Sequence, residues 1–281
     1  MRVIEAVSEI QEVLRKFKSE GKTIGFVPTM GALHSGHISL IERSIESNDI
    51  TVCSIFVNPS QFNNKADLEN YPRTFELDKK ALGNTRCDIL FYPSYSEMYP
   101  GDIKAPVVLG ELASVMEGSF RKGHFDGVTT VVKRFFDIVE PDRAYFGLKD
   151  YQQYAIIKYM TDQLKLPVEI IGCETRRSDQ GLALSSRNQL LDENGIRSAL
   201  QFSKALKLAK SMAGKAPVEE IKKAVHSMFE QNNNCRLEYF EIADGLTLMP
   251  VKGFSGSSRI VAFIAGYVGK VRLIDNLILF P

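Results

Sequence analysis

Five short apolar runs, at residues 23–27, 50–57, 89–92, 143–146 and 168–172, punctuate the first two-thirds of the chain. Between them, apolar residues recur at helical spacing. Ile10, Val13, Leu14 and Phe17 form the first such stripe, with Ser8 and Gln11 in the form of a capping box and Gly21 as the stop. Residues 1–5 read simply as the lead into that helix. Further stripes follow at 38–41, with Ile38 and Ile41, at 74–83 and at 151–164. Residues 128–139 are rich in β-branched side chains, which suits a strand. Val128, Val131, Val132, Phe135 and Ile138 nevertheless keep helical spacing, so the segment is expected to be a helix ended by Pro141. Residues 50–57 in particular read as a strand buried on both faces, as in a parallel sheet.

The pattern changes after Leu191. Residues 192–213 predict a helix whose solvated face carries Lys207 and Lys210, and Pro217 opens a second helix reaching Gln231. The Asn232-Asn233-Asn234 run is expected as a loop, followed by strands near 237–242, 258–268 and 271–279. Two helices and a small antiparallel sheet make a separate module. The expected organisation is therefore α/β: a parallel-sheet domain at 1–176 and a smaller α+β domain at 177–281. Residues 93–123, irregular and rich in Tyr, Pro and Gly, read as a lid, binding loop or insertion.

Composition narrows the function classes. A chain of 281 residues with formal net charge +1 carries no electrostatic footprint for nucleic acid or a membrane surface. Any anionic ligand must then be held by locally placed cations and backbone donors. The four cysteines, Cys53, Cys87, Cys173 and Cys235, show no metal or redox spacing. With neither a signal-type apolar core nor a membrane-length run, a cytoplasmic protein is expected.

Candidate chemistry collects where strands end. Residues 23–27 run into Pro28-Thr29-Met30-Gly31-Ala32-Leu33-His34-Ser35-Gly36-His37 and then a helical pattern. Strand, tight turn and helix place free N–H groups at the crevice of an α/β sheet, a phosphate-binding arrangement. Two of the chain's four histidines lie in this one turn, three residues apart, and could donate to a triphosphate as charge develops on a leaving group. A histidine near a turn is more often an ordinary surface residue, and the concentration of the pair is what argues otherwise. Gln61, just past the second strand, offers an amide for a small polar substrate. At a second junction, Gly147-Leu148-Lys149-Asp150, a lysine at a helix start is unfavourable unless an anion receives it. Leu184-Ser185-Ser186-Arg187 could wrap a polyphosphate, or merely cap a helix.

In combination these motifs resemble the pantoate–β-alanine ligases. The resemblance spans the chain: the turn from Pro28 to His37, Phe56-Val57-Asn58-Pro59-Ser60-Gln61-Phe62, Tyr71-Pro72-Arg73-Thr74, Gly123-His124-Phe125-Asp126-Gly127-Val128, Phe146 to Asp150, and Leu182 to Asn188. His34-Ser35-Gly36-His37 alone marks only the wider nucleotidylyltransferase and class I synthetase superfamily; the ordered set is specific. The resemblance implies a Rossmann-like N-terminal domain, a closing C-terminal domain, a homodimer, and ATP and Mg²⁺ use through a pantoyl-adenylate. It implies ATP contacts from Met30, Gly31, Ala32, Leu33, His34, Ser35, Gly36 and His37, with His37 as the usual proton donor. Gly147, Leu148, Lys149, Asp150, Arg176, Leu184, Ser185, Ser186 and Arg187 would complete the nucleotide site. Gln61 and Gln153 would hold pantoate, with Gln61 also near β-alanine, and His34, His37, Lys149, Ser185 and Arg187 would act in catalysis.

The chain departs from the family pattern in three places. Arg176 stands where a valine is common, Arg121-Lys122-Gly123-His124 replaces Arg-Pro-Gly-His, and Leu77 precedes Asp78 where relatives pair two acids at a metal. No protein metal ligand is therefore assigned. Two other readings stay open: a nucleotidylyltransferase adenylating a phosphate ester, and a non-catalytic nucleotide-binding protein. The first needs no amine site, against Gln61 and Gln153, and the second would bind ATP without turnover.

Overall fold

The computed structural model describes residues 1–101, 103–230 and 234–280; Gln231, Asn232 and Asn233, expected as a helix end and loop, lie outside them. Strands β1 (Arg2–Ile4), β2 (Ile24–Thr29), β3 (Ile50–Ile55), β4 (Ile89–Phe91), β5 (Arg143–Gly147) and β6 (Glu169–Cys173) form one parallel sheet in the order β1-β4-β3-β2-β5-β6. Every residue of β3 is buried, including Thr51 and Ser54, which explains its lack of charged or regularly alternating polar positions.

Helices α1 (Val7–Ser19), α2 (Ser35–Ser47), α3 (Lys65–Glu69), α4 (Phe75–Gly83), α5 (Tyr95–Met98), α6 (Met116–Phe120), α7 (His124–Val139) and α8 (Tyr151–Gln163) connect the strands. The pleat sorts neighbours to opposite faces. Phe26, Val52 and Phe91 pack with Ile10 and Leu14 of α1 and Phe135 of α7, whereas Val27, Cys53 and Leu90 pack with Ile41 of α2 and Leu82 of α4. As its spacing predicts, α7 is a helix despite its β-branched content. Its Thr129 and Thr130 hydroxyls donate back to the Phe125 and Asp126 carbonyls.

The sheet opens where the site will be. β2 pairs with β3 along its whole length but with β5 only at Gly25 and Phe26. Pro28 has no N–H for a neighbouring strand, which suits the parting of β2 and β5 at their carboxyl ends. Strand order also reverses at this pair, making it the topological switch point.

The C-terminal domain comprises α9 (Glu193–Met212), α10 (Val218–Glu230) and the antiparallel strands β7 (Cys235–Asp244), β8 (Ile260–Val268) and β9 (Val271–Phe280), in the order β7-β8-β9. One face of this sheet buries Ile242 and Ile264 against Phe202 and Leu206 of α9 and Ile221 and Val225 of α10. The other turns Ala243, Val261 and Phe263 toward Phe125, Tyr151 and Ile156 of the parallel-sheet domain.

Three expectations are corrected. Residues 2–4 form the edge strand β1, paired with β4, because a three-residue strand is too short to show a period. The Ser8–Gln11 capping box does not form: Ala6 is the N-cap of α1, and Glu97 Oε2, from α5, accepts from Val7 N at 2.6 Å. A distant carboxylate thus satisfies a helix end that local sequence assigns to a hydroxyl. Lys210 is exposed yet not merely solvated, since its Nζ donates to the Ile278 carbonyl at 3.1 Å.

Candidate active site

His34 is the N-cap of α2. Its Nδ1 accepts from Gly36 N at 3.1 Å, and His37 Nδ1 accepts from His34 N at 3.3 Å. Both Nδ1 lone pairs are therefore spent on backbone amides, so each ring carries its proton on Nε2. The ring centroids lie 4.1 Å apart, and both rings line one cavity at the β2–β5 crevice. The preceding turn is strained, with Gly31 at φ 83° and Ala32 at φ 50°. Buried Asp78 holds it: Oδ2 accepts from Ala32 N at 2.9 Å and Oδ1 from Leu33 N at 2.7 Å, while Thr74 Oγ1 donates to Oδ2 at 3.1 Å. The single acid left by Leu77 is thus spent on backbone amides.

Burial, then the Lys149 charge, pushes His34 below its ordinary value, with Asp150 opposing. Burial and then His34 push His37 down to about 3. At neutral pH these side chains are hydrogen-bond donors and not imidazolium acids.

The second junction faces the first. After β5 a single turn, Leu148–Asp150, leads into α8, and Asn276 Nδ2 on β9 donates to the Leu148 and Lys149 carbonyls at 2.8 and 2.6 Å. Lys149 Nζ pairs with Asp150 Oδ1 at 3.1 Å. Burial opposes ionisation of Asp150, yet Lys149, Arg187 and Arg121 together hold its carboxyl below its ordinary value. The two glutamines of α8 divide their roles. Gln153 lines the cavity, whereas buried Gln152 accepts from Glu117 N at 3.0 Å and donates to the Leu112 and Val115 carbonyls, ordering the irregular segment.

Gln61 also reaches the cavity wall, its Nε2 2.8 Å from Met30 Sδ and its Oε1 accepting from Asn58 Nδ2 at 3.2 Å. A Cβ on Gly127 of α7 would lie 2.4 Å from Ser60 O, so only glycine permits α7 to press this close to the Gln61 loop. Ser185 caps its own short helix by accepting from Arg187 N at 3.3 Å, and it still lines the cavity with Leu184, Ser186 and Arg187. Arg187 Nη2 meets Asp67 of α3 at 2.9 Å, and Arg176 completes that wall.

Most of the expected nucleotide and pantoate residues therefore converge on one cavity. Gly31, Ala32, Leu33, Ser35 and Leu148 do not line it; they form the turns behind it. Several lining residues carry no signal in the sequence. Buried Glu117 receives Arg272 Nη1 and Nη2 at 2.8 and 2.7 Å and the Tyr239 hydroxyl at 3.0 Å. Burial opposes its charge, but Arg272 and Arg121 prevail and hold Glu117 below its ordinary value. His124 Nδ1 lies 2.7 Å from the Gln61 carbonyl and its Nε2 3.1 Å from Arg121 Nη1. The Gly123-His124-Phe125 motif could have flagged His124, but nothing in the sequence connects Glu117 to Arg272.

Three depressed histidines have a measurable consequence. Burial, then Arg121, takes His124 down to about 4. Unfolded histidines bind protons near pH 6.5, and these folded ones only well below it. Their contribution to stability is whole above that value and is lost as pH falls toward 4 and 3. The urea midpoint is expected to be lower at pH 5.2 than at pH 7.5, ahead of the carboxylate range; equal midpoints would contradict the burial of these rings.

A family model described as pantoate-beta-alanine ligase matches residues 2–278. The chain belongs to the pantoate–β-alanine ligase family. It is 46% identical over 277 residues to the pantothenate synthetase of Bacteroides thetaiotaomicron, covering 99% of this chain and 98% of that one. A pantothenate synthetase structure from Thermus thermophilus is 39% identical, with TM-score 0.93 and full coverage of both chains. A Francisella tularensis pantoate-beta-alanine ligase, described as complexed with beta-gamma ATP and beta-alanine, is 36% identical with TM-score 0.81, covering 99% of this chain and 98% of that one.

Proposed function

We propose that this family member condenses (R)-pantoate with β-alanine using ATP, releasing AMP and pyrophosphate through a pantoyl-adenylate. The observation that carries this reading is the convergence of the Nε2–H donors of His34 and His37, the Lys149 and Arg187 cations, and the amides of Gln61 and Gln153 on one crevice.

A carboxylate is a poor electrophile, so its oxygen first attacks the α-phosphorus of ATP. The new O–P bond replaces the bond to the leaving pyrophosphate. His34, His37, Lys149, Ser185 and Arg187 stabilise the negative charge that develops there. Met30 and Gly36 of the first turn, Gly147 and Asp150 of the second, and Arg176, Leu184 and Ser186 shape the nucleotide pocket, with the turn residues behind them supplying backbone. Gln61 and Gln153 hold pantoate, Gln61 also near the amine. The unprotonated amine of β-alanine then attacks the acyl carbon, the C–O bond to AMP breaks, and the extra amine proton passes to solvent. No covalent bond to the protein forms.

The described residues offer no cluster of three or more His, Cys, Asp or Glu that could hold a metal. Mg²⁺ enters this reading through the family resemblance, as an ion that would be carried by the nucleotide phosphates, and no step here is routed through it. A cytoplasmic location agrees with four free cysteines. No helix among the described residues is long and apolar enough to cross a membrane. The boundary between the domains is read near residue 176, and the Arg177–Ala183 bridge that follows supports this reading. A homodimer enters this reading through the family resemblance; Leu77 and Tyr95, 68% and 59% accessible, are exposed apolar side chains that such an interface would cover.

The test is single-turnover pyrophosphate release with ATP and Mg²⁺. A stoichiometric burst with pantoate alone, then AMP and amide once β-alanine is added, is the expected result. Release that does not depend on pantoate would overturn the reading and favour a phosphate-ester acceptor, and ATP binding without release would favour a non-catalytic protein.

A further inference from the structure

The proposed second substrate presents an amine that reacts and a carboxylate that does not. That carboxylate loses water on entering the cavity and needs a cation there. Among the described residues lining the cavity, the lysines and arginines are Arg121, Lys149, Arg176 and Arg187. The last three sit on the turns assigned above to the nucleotide. Arg121 follows α6, in the irregular segment, and belongs to none of them.

Its surroundings place it beside the acceptor site. The His124 Nδ1–H donates to the Gln61 carbonyl at 2.7 Å, which leaves His124 Nε2 to accept from Arg121 Nη1 at 3.1 Å. The guanidinium is thus two hydrogen bonds from the Gln61 backbone. Glu117 is its ion-pair partner at 3.7 Å, but the Glu117 oxygens take their hydrogen bonds from Arg272 at 2.7 and 2.8 Å and Tyr239 at 3.0 Å, so the pair leaves the N–H donors of Arg121 unspent. No other hydrogen bond of the Arg121 side chain is found among the described residues, so Nε and Nη2 keep donors in the planar geometry that suits a carboxylate. The side chain is 18% accessible, and that remnant lies at the cavity.

We infer that the Arg121 guanidinium receives the carboxylate of the amino substrate and so sets which amines the enzyme accepts. This rests on the ligase reading above. His124 is then a positioning residue that fixes Arg121 relative to Gln61.

The experiment compares β-alanine with propylamine, which has the amine and chain but no carboxylate, at saturating ATP, Mg²⁺ and pantoate, reading AMP and amide product. Wild type is expected to prefer β-alanine strongly. In Arg121→Gln, kcat/KM for β-alanine is expected to fall on the order of 100-fold further than for propylamine, chiefly through KM. Arg121→Lys, which keeps the charge without the fork, is expected to recover part of the preference, and it carries the test alone if the glutamine variant does not fold. Equal losses for both acceptors, or no recovery with lysine, would overturn the inference. Pantoate-dependent pyrophosphate release by wild type without any amine tests the ligase reading separately: its absence sinks that reading, whereas its presence with an unchanged preference sinks only this one.

Discussion

Replacing His37 with alanine is expected to lower kcat by roughly 100- to 1,000-fold, the usual cost of removing one preorganised donor to a developing charge. The fold should survive. The ring is the third residue of α2, and truncation frees one backbone amide, His34 N, at a helix end that water can reach. That cost is about 1 kcal/mol, as for other lost caps. A second variant separates two roles for the ring. Because burial holds His37 down at about 3, the proposed reading has its Nε2–H donate a hydrogen bond at neutral pH without giving up a proton. Glutamine can place an amide N–H near the same position, so His37→Gln is expected to recover at least tenfold over alanine. No recovery would point to proton transfer after all, and a wild-type kcat in the alanine variant would remove His37 from the machinery.

Asp78→Ala is expected to be the most destabilising change at the site, by about 2–4 kcal/mol, because it strips one buried and one part-buried backbone amide of a charged acceptor. Ala32 N and Leu33 N both donate to this carboxylate, and Ala32 at φ 50° is held in a conformation that a non-glycine residue pays to adopt. Released, the turn would relax and carry the N-cap His34 with it, so kcat should fall along with the thermal midpoint. Asp78→Asn keeps one acceptor but aims an amide hydrogen at a backbone N–H, and is expected to fall between wild type and alanine. Thermal unfolding with steady-state rates on the two variants checks this. A stable alanine variant with normal kcat would show that the turn holds itself.

The parts legible in the sequence are those whose causes lie within a few residues. The mostly apolar, charge-free text of β3 gives away burial on both faces, and the spacing of Val128, Val131, Val132, Phe135 and Ile138 gives away α7, because pleat and helix turn impose their own periods. The His34–His37 pair was readable for the same reason: an N-cap and the residue three places on share one helix end. The cap of α1 was not, since Glu97 lies 90 residues from the amide it satisfies. Nor was the edge strand β1, whose existence depends on β4 having an open side.

The same division runs through the site. Local text was enough to single out the two strand-turn-helix junctions as candidates for phosphate-directed chemistry and Gln61 as an amide beside them, whereas Gln153 entered only through the family resemblance. Only tertiary structure decided that Gln152 is a scaffold and Gln153 a wall, that Asp78 anchors a turn, and that Glu117, Arg121 and His124 join Arg272 and Tyr239 in one cluster. The groups around Arg121 come from four elements, Glu117 from α6, His124 from α7, Tyr239 from β7 and Arg272 from β9. Hydrogen-bond and ion-pair energies are set by distance in space and by burial, neither of which is encoded at any fixed separation along the chain.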